Sequence, residues 1–463
     1  MTLADIWTIM PLLLIAVGAL VVLLCGAVVP GRYITAVGVA TLLAALLWAL
    51  PTPPELQAPT LGVAFTPFAR FFTVLFSLAA IATLLLSCDY NDKRGIEGEE
   101  YPATVLFAAF GMTALVAATN LLVLFLALEA LTFAFYILVA ADLRRTESAE
   151  AGLKYLVQGA VAAAFVAFGI ALIYTGSGTL QIAAAMKGAS HPLATAGWGF
   201  LLIGLAFKVS LVPAHLWTPD VYQGGPAPVI AFLSTGSKGA AFAALLLLVT
   251  PLEGASFLHA PLWWLALLSM VVGNLAALRQ TNLRRMLAYS SIAQMGYVTL
   301  ALLTASREGY RGVVFYVVAY TVMNLAAFGA VASLSKGGGM EEVEDYRGVG
   351  YSRPFAAAIL ALAMFALAGI PPTVGFLGKF FIFYAALRAG ETPLAVMGIL
   401  SAAVSVYYYL RVVVNLYLRP EGTASADTLT PREGATLGAC AGVIIALGVY
   451  PGPLLHLLDS ILL

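Results

Sequence analysis

The chain has 463 residues, of which 62% are hydrophobic and only 10% are charged. Soluble domains hold about 45–50% apolar and about 25% charged residues, so this composition excludes a soluble globular protein and predicts a polytopic membrane protein. The 23 basic and 23 acidic residues cancel to a net charge of zero without forming a basic block, which argues against a nucleic-acid partner.

Apolar runs bounded by charged residues, proline or glycine predict fourteen membrane-spanning α-helices. In hydrocarbon every backbone polar group must bond internally, and runs this long fit helices rather than barrel strands, so the predicted fold class is all-α. Pro213 interrupts span 7, and Pro371-Pro372 interrupts span 12. In chain order, spans 1 to 14 are predicted at 8–29, 32–50, 67–88, 103–119, 120–140, 150–175, 195–223, 227–250, 260–279, 284–304, 310–335, 355–389, 392–418 and 434–462.

Short strings recur at an offset of about 160 residues, which indicates an internal repeat. Spans 4–8 then pair with spans 9–13, and because five is odd the two repeats must be inverted in the membrane. Inverted five-helix repeats with one broken helix each are typical of ion-coupled transport. The paired strings are Thr119-Asn120-Leu121 with Thr281-Asn282-Leu283, Ala167-Phe168-Gly169 with Ala327-Phe328-Gly329, and the two proline breaks.

The repeat predicts four segments along the chain. Residues 1–101 form an N-terminal three-helix segment, 102–251 the first repeat, 260–418 the inverted second repeat, and 431–463 a C-terminal helix.

Basic residues in the loops predict the orientation of the chain in the membrane. Loops after odd-numbered spans hold thirteen Lys and Arg, and loops after even-numbered spans hold five. Cytoplasmic loops carry the basic excess, so both termini are expected outside. The thirteen are Arg32, Lys93, Arg94, Arg144, Arg145, Arg279, Arg284, Arg285, Lys336, Arg347, Arg353, Arg419 and Arg432.

Five ionisable residues lie well inside apolar runs: Glu129, Lys208, Lys238, Lys379 and Arg411. A charge at the centre of a span costs about 2.5–3.5 kcal/mol, so such residues indicate function. Glu129 is the one acid in the middle of a span, and it is either a fixed ion-pair partner or a group that exchanges protons. Lys208 lies five residues before the break at Pro213, and Lys379 follows the break at Pro371-Pro372, so each lies beside the broken helix of its repeat. With Lys238 they suggest a proton relay, and the alternative is a set of structural ion pairs.

Other polar residues leave two interpretations open. His215 either lines the cavity of Lys208 or caps the break in span 7, and Lys154 either extends the relay or reaches to the interface. Asp220 fits a cap or loop contact, and Arg411 fits a side chain that reaches the membrane surface. A third group either holds water or joins helices: Tyr289, Ser290, Ser291, Gln294, Tyr320 and Asn324.

The sequence contains no metal-ligand spacing, no nucleophile motif and no dinucleotide fingerprint. Cys25, Cys88 and Cys440 lie far apart, without iron–sulfur or disulfide spacing. We therefore expect no metal and no cofactor in this chain.

Three long motifs resemble the antiporter-like membrane subunits of respiratory complex I, and the resemblance runs from about span 4 to span 13. They are KVSLVPAHLWTPDVYQGGPAPVIAFLSTGSK at 208–238, LRRMLAYSSIAQMGY at 283–297 and GIPPTVGFLGKF at 369–380. Among the L, M and N types of this family, the N type is most similar. The chain has only fourteen predicted spans and no long lateral C-terminal helix, and it has Lys379 where M-like members usually have glutamate.

The resemblance implies a proton-translocating subunit in a bacterial inner membrane, driven by quinone reduction in other subunits. NAD, FMN, iron–sulfur clusters and quinone are expected in those other subunits. M-like, K-like and J-like membrane subunits and the lipid bilayer are the expected partners. Glu129 and Lys208 correspond to the family's acid–lysine pair, Lys238 to the central lysine and Lys379 to the terminal one, and His215 falls on a histidine position of the family.

Three rival functions remain open from the sequence. The same family module occurs in multi-subunit Na⁺/H⁺ antiporters and in membrane-bound hydrogenases. A self-sufficient secondary transporter would need a substrate pocket at the broken helices, and a passive scaffold subunit would leave the intramembrane charges unexplained.

Overall fold

The computed structural model describes residues 3–26, 31–50, 56–96, 98–250, 256–418 and 429–462. Within them the chain is almost entirely helical, with one two-stranded antiparallel hairpin of β1 (Leu56–Ala58) and β2 (Val63–Phe65). Residues 27–29 at the end of predicted span 1, the loop residue Arg419 and Leu463 at the end of the chain lie outside the described residues.

The helices follow the predicted spans closely. A short helix at Leu3–Thr8 precedes span 1, and short helices at Ile182–Lys187 and Val349–Ser352 lie between spans. Spans 1 to 14 have these bounds: Met10–Gly26, Gly31–Ala49, Pro67–Arg94, Glu100–Ala117, Leu121–Val139, Thr146–Ser177, Pro192–Val209 with Trp217–Gly224, Ala227–Phe232 with Lys238–Val249, Ser256–Leu278, Leu283–Leu303, Arg307–Ser335, Pro354–Ala368 with Val374–Arg388, Thr392–Leu418 and Pro431–Val449.

Length and composition support the membrane assignment. Eleven helices in the described part of the chain are long and apolar enough to cross a membrane, and three shorter apolar helices accompany them. The predicted all-α membrane fold with interrupted spans 7 and 12 is therefore confirmed.

The end of the chain differs from the prediction of one helix over 434–462. Span 14 ends at Val449, and a separate helix covers Gly452–Ile461. Proline at 451 has no N–H to continue the helix and restricts Tyr450 to an extended conformation, so the apolar run is divided there.

The two repeats contain the same backbone arrangement before spans 5 and 10. Asn120 pairs with Gln181 in an isolated antiparallel bridge, and Asn282 pairs with Glu342 in another. Each asparagine also accepts a hydrogen bond on its Oδ1 from the N–H three residues later, at 2.8 and 3.0 Å. The repeated Thr-Asn-Leu strings thus perform one local task twice: they cap a span and attach it to the strap that follows the next span. The segment boundaries at 101, 251 and 418 stay a prediction.

Both interruptions have a left-handed residue at the end of the first half-helix. Ser210 has φ 66° and Gly369 has φ 86°. The following residues bond back to the last turn, Leu211 N to Ala206 O at 2.8 Å and Ile370 N to Phe365 O at 3.0 Å, as in a Schellman motif. The proline residues beyond then prevent the helix from continuing.

Spans 8, 10 and 11 form the interior of the bundle, because nearly all of their apolar windows are buried, whereas spans 6 and 14 are mostly at the surface. Lys238 lies on span 8, and a π-helical turn at Leu233–Ser237 precedes it directly. This π-helical turn was not predicted from the sequence. Such turns often occur at functional sites.

Candidate functional site

Glu129 and Lys208 meet inside the first repeat. Lys208 Nζ lies 3.9 Å from Glu129 Oε1, and the side chains are 1% and 15% exposed. The ammonium donates its hydrogen bond to Thr132 Oγ1 at 2.5 Å, one helical turn beyond Glu129 on span 5. Glu129 Oε1 is buried without a hydrogen-bond donor in the described part of the chain. The pair is therefore held by charge attraction and not by a direct hydrogen bond.

Lys238 is buried among neutral groups. Its Nζ donates to Ser291 Oγ at 2.6 Å, and Tyr320 OH donates to the same oxygen at 2.6 Å. The ring centroids of Tyr222 and Trp217 lie 5.2 and 5.9 Å from the Nζ. No carboxylate lies within 4 Å of it among the described residues, so aromatic faces and hydroxyls stabilise its charge in place of an anion.

Lys379 is held by the interruption in span 12. Its Nζ donates to the carbonyl oxygens of Leu367 at 2.8 Å and Ala368 at 3.1 Å. These carbonyls end the first half-helix and so lack partners within it. A Cβ on Gly369 would lie 3.1 Å from Lys379 Cδ, and the φ of 86° favours glycine as well. The broken helix thus supplies both the acceptors and the space for the lysine.

Buried polar side chains lie between Lys238 and Lys379. Gln294 donates from Nε2 to Leu367 O at 3.1 Å and to Tyr409 OH at 3.0 Å, and it accepts a hydrogen bond from Tyr316 OH. Tyr409 OH is also hydrogen-bonded to Ser290. Because Ser290 and Ser291 are consecutive on span 10, this cluster adjoins the cluster at Lys238. Each of the three lysines predicted inside spans 7, 8 and 12 is therefore hydrogen-bonded to buried polar groups, and Glu129 of span 5 lies beside the first of them.

His215 is not joined to the lysines. It lies half-buried in the break of span 7, and no hydrogen bond from it to Lys208, Lys238 or Lys379 is present in the described ranges. Its Nδ1 is buried without a partner there. The histidine's role in a relay stays a prediction.

Lys154 and Asp220 belong to a charged surface cluster. Lys154 Nζ donates to Asp220 Oδ2 at 2.9 Å and contacts Glu150 at 2.7 Å, while Arg285 donates to the other Asp220 oxygen at 2.6 Å. These contacts fit the loop-contact interpretation of Asp220 and a lysine that reaches to the interface. Arg411 donates to the backbone oxygen of Gln280, near the end of span 9.

A cavity of about 310 Å³ lies beside this cluster, at the end of spans 6 and 7 that the loop charges assign to the cytoplasm. Arg145 at its edge contacts Glu341 at 2.7 Å. Burial alone would lower the pKa of Arg145, but the Glu341 carboxylate holds that pKa above its ordinary value. Its lining is strongly polar: Arg145, Glu147, Glu150, Lys154, Asp220, Gln223 and Glu341.

Several partners of the lysines were not predicted from the sequence. Thr132 was detectable in principle, because it lies three residues after Glu129 and so shares its helix face. Tyr316 and Tyr409 carry no signal in an apolar run, and the Leu367 and Ala368 acceptors are backbone groups. In the described ranges no cluster of three or more His, Cys, Asp or Glu side chains is arranged to hold a metal ion.

Comparison with known proteins places the chain in a family. The family model described as NADH:quinone oxidoreductase/Mrp antiporter, transmembrane, matches residues 118–405, a range that includes Glu129 and all three lysines. The chain belongs to the NADH:quinone oxidoreductase/Mrp antiporter family. The resemblance drawn from the three sequence motifs is thereby confirmed, and the chain is a multi-pass membrane protein.

Individual members of this family are similar over the whole chain. The protein named NADH-quinone oxidoreductase subunit N of Geotalea uraniireducens is 69% identical, with 100% of both chains covered. A chain in the structure of respiratory complex I from Thermus thermophilus with bound aureothin is 36% identical, with a TM-score of 0.82 over 96% of this chain and 98% of that one. A chain of the Mrp complex from Dietzia sp. has a TM-score of 0.87 over 100% and 97% of the two chains, but at 21% identity this likeness concerns the fold alone.

Proposed function

We propose that the chain is the N-type, proton-translocating membrane subunit of a bacterial NADH:quinone oxidoreductase. The observation that carries this proposal is the set of three buried lysines with one carboxylate, Glu129, 3.9 Å from Lys208. Charges in a membrane interior are costly, and a set of four of them indicates a path for ions or protons. The 69% identity to a subunit N over the full length supports the assignment of type.

Protons are taken up from the cytoplasmic end in this proposal. The charged cavity of about 310 Å³ brings water to Asp220 and Gln223 on the second half of span 7. Tyr222 on the same short helix has its ring against Lys238. This half-helix therefore lies between the aqueous cavity and the central lysine.

The Glu129–Lys208 pair is the switch. While the two charges are close, the carboxylate stabilises the ammonium of Lys208. When the pair separates, each buried charge is left without its partner, at a cost of several kcal/mol. Lys208 then gives its proton onward to Lys238, whose neutral surroundings provide acceptors but no counter-ion. The absence of a direct hydrogen bond within the pair supports this role, because such a pair separates without breaking one.

The last step carries the proton from Lys238 to Lys379 and then to the outside. Lys379 is held by two carbonyl oxygens and not by an anion, so its release of a proton leaves no buried negative charge. Moving one proton against 100 mV costs about 2.3 kcal/mol, a cost that redox chemistry in other subunits would supply.

The proposal places the chain in a complex of several subunits in the inner membrane. NAD, FMN, iron–sulfur clusters and quinone bind to other subunits, and M-like, K-like and J-like membrane subunits are its neighbours. Both termini lie on the outer side. A Na⁺/H⁺ antiporter complex or a membrane-bound hydrogenase is the rival assembly.

Purification of the tagged chain under mild detergent tests this assignment. We expect flavin- and iron–sulfur-containing subunits to co-purify, with NADH:quinone reductase activity and proton uptake into proteoliposomes. Co-purification with cation-antiporter or hydrogenase subunits would contradict it, as would a monomer that transports a solute alone.

A further inference from the structure

Gln294 occupies the junction between the hydroxyl cluster and Lys379, and it is fully buried. Both of its amide hydrogens and its amide oxygen are used, by Leu367 O, Tyr409 OH and Tyr316 OH. Leu367 O, which accepts from Gln294 at 3.1 Å, accepts from Lys379 Nζ as well, at 2.8 Å. The amide and the terminal lysine thus share one acceptor.

These bonds set the orientation of the amide and the direction of the Tyr316 hydrogen. Leu367 O is an acceptor only, so Gln294 must turn its NH₂ group toward it and its oxygen toward Tyr316. Tyr316 OH then donates to that oxygen. Tyr409 OH accepts from Gln294 Nε2 and shares a further hydrogen bond with the Ser290 hydroxyl. Neither phenol is hydrogen-bonded to Lys379 in the described part of the chain, where Lys379 Nζ bonds to Leu367 O and Ala368 O.

A hydroxyl or a water passes a proton by accepting one and releasing another, but a carboxamide does not, because its nitrogen is not a base. The amide therefore does not carry a proton from the cluster of Ser290 and Tyr409 to Lys379. While Gln294 holds this position, no hydroxyl of the described residues is hydrogen-bonded to Lys379 Nζ.

We propose that Gln294 is a gate that blocks proton transfer to Lys379 until its side chain turns away. Turning frees the Tyr316 hydrogen, a lone pair of Tyr409 OH and one of Leu367 O, and one water among these three polar groups completes the path. The proton on Lys238 then passes through hydroxyls and that water to the lone pair of Lys379 Nζ. Return of the amide closes the path, so a proton on Lys379 leaves outward and not backward.

The gate rests on the relay proposed above, and two substitutions of opposite effect test it in the intact complex in proteoliposomes. Gln294→Ala leaves a small space lined by polar groups, which water fills. We expect quinone reduction to continue while fewer protons move per electron, because the gate is permanently open. Gln294→Leu fills the space with an apolar side chain and excludes the water. Here we expect quinone reduction and pumping to fall together, by about tenfold, as buried polar groups lose their partners.

The control is Gln181→Ala on the exposed strap after span 6, which should change neither quantity. If Gln294 has only a structural role, both substitutions should lower activity only as far as they lower assembly of the complex. The number of protons moved per electron would then be the same in both variants, and that result would overturn the gate. Lys379→Ala separates the two proposals. If it too keeps full pumping, the relay itself is wrong. If it abolishes pumping while both Gln294 variants keep the normal ratio, only the gate is wrong.

Discussion

Lys208 lies 3.9 Å from Glu129 and yet donates its hydrogen bond to Thr132. The attraction between the two charges thus depends on distance and on the surrounding dielectric, and small movements of span 5 against span 7 change it. A pair of this kind is suited to a switch, whereas an ion pair with direct hydrogen bonds is suited to fixing two helices together.

Removing either partner of this pair should abolish coupled pumping. We expect Lys208→Ala and Glu129→Ala to lower proton translocation strongly, and quinone reduction with it where the two are tightly coupled. Lys208→Arg should not restore pumping, because arginine stays protonated to about pH 12 and cannot release a proton. Proton uptake per electron in inverted vesicles is the measurement.

Loss of one partner leaves the other charge buried, at about 3–5 kcal/mol, so assembly of the complex must be checked first on native gels. Lys93→Ala, at an exposed position at the end of span 3, is the control and should be silent. The relay role would be contradicted if the Lys208, Glu129 and Lys238 alanine variants assembled well and kept the full number of protons pumped per electron. These residues would then have a structural role only.

Substitution of Ser291 should lower the pumping rate more than the loss of one hydroxyl group would ordinarily do. It accepts from Lys238 and from Tyr320, both at 2.6 Å, so Ser291→Ala leaves two buried donors without an acceptor. Each unsatisfied donor costs about 1–3 kcal/mol, and we expect a fall in pumping rate of about tenfold or more. Thr299→Val on the same span is the matched control, because in the described part of the chain the Thr299 hydroxyl bonds only within its own helix, to Met295 O. Equal pumping rates in the two variants would contradict the role given to Ser291.

The fold was largely predictable because hydrocarbon imposes strict rules on sequence. Apolar length locates the spans, and prolines locate the two interruptions. The division at Tyr450–Pro451 was not predicted, because the apolar run continues through it to residue 462. Pro451 correctly indicates a helix end there, but the hydropathy of the run was given more weight. The hairpin of β1 and β2 was missed because its strands are three residues long.

The candidate site was predictable only in part. Lys208, Lys238 and Lys379 stand out because a buried charge is costly wherever it lies. Their partners are set by packing between distant spans, and sequence spacing does not describe that packing. Lys379 is bonded to main-chain oxygens, which no side-chain motif reveals, and Tyr409 reaches the cluster from span 13, 115 residues after Gln294.

The loop charges predict the topology of the chain. A reporter enzyme fused after Leu463 should be exposed on the outer side, and one inserted in the 336–353 loop should be cytoplasmic. Alkaline phosphatase and green fluorescent protein fusions at each position give opposite readouts. Reversed readouts at both positions would invert the two repeats and with them the direction of proton movement.

A second buried ion pair lies apart from the relay residues, and its substitution tests how much such a pair contributes to stability. Lys336 Nζ lies 2.9 Å from Glu433 Oε2, and the side chains are 2% and 1% exposed. The pair joins the end of span 11 to the first turn of span 14. Glu433→Gln should therefore destabilise the protein by about 3–5 kcal/mol, because the ammonium stays buried without its anion. Thermal denaturation of the purified complex measures the loss.

The exposed pair of Arg347 and Glu344, also 2.9 Å apart, supplies the comparison. Glu344→Gln should change stability by only about 0–1 kcal/mol, since water screens the interaction. Replacing both buried partners, as in Lys336→Met with Glu433→Leu, should recover most of the stability, because no charge is then left unpaired in the interior. Should the double variant be less stable than Glu433→Gln alone, the pair would be holding the two spans together by more than mutual neutralisation.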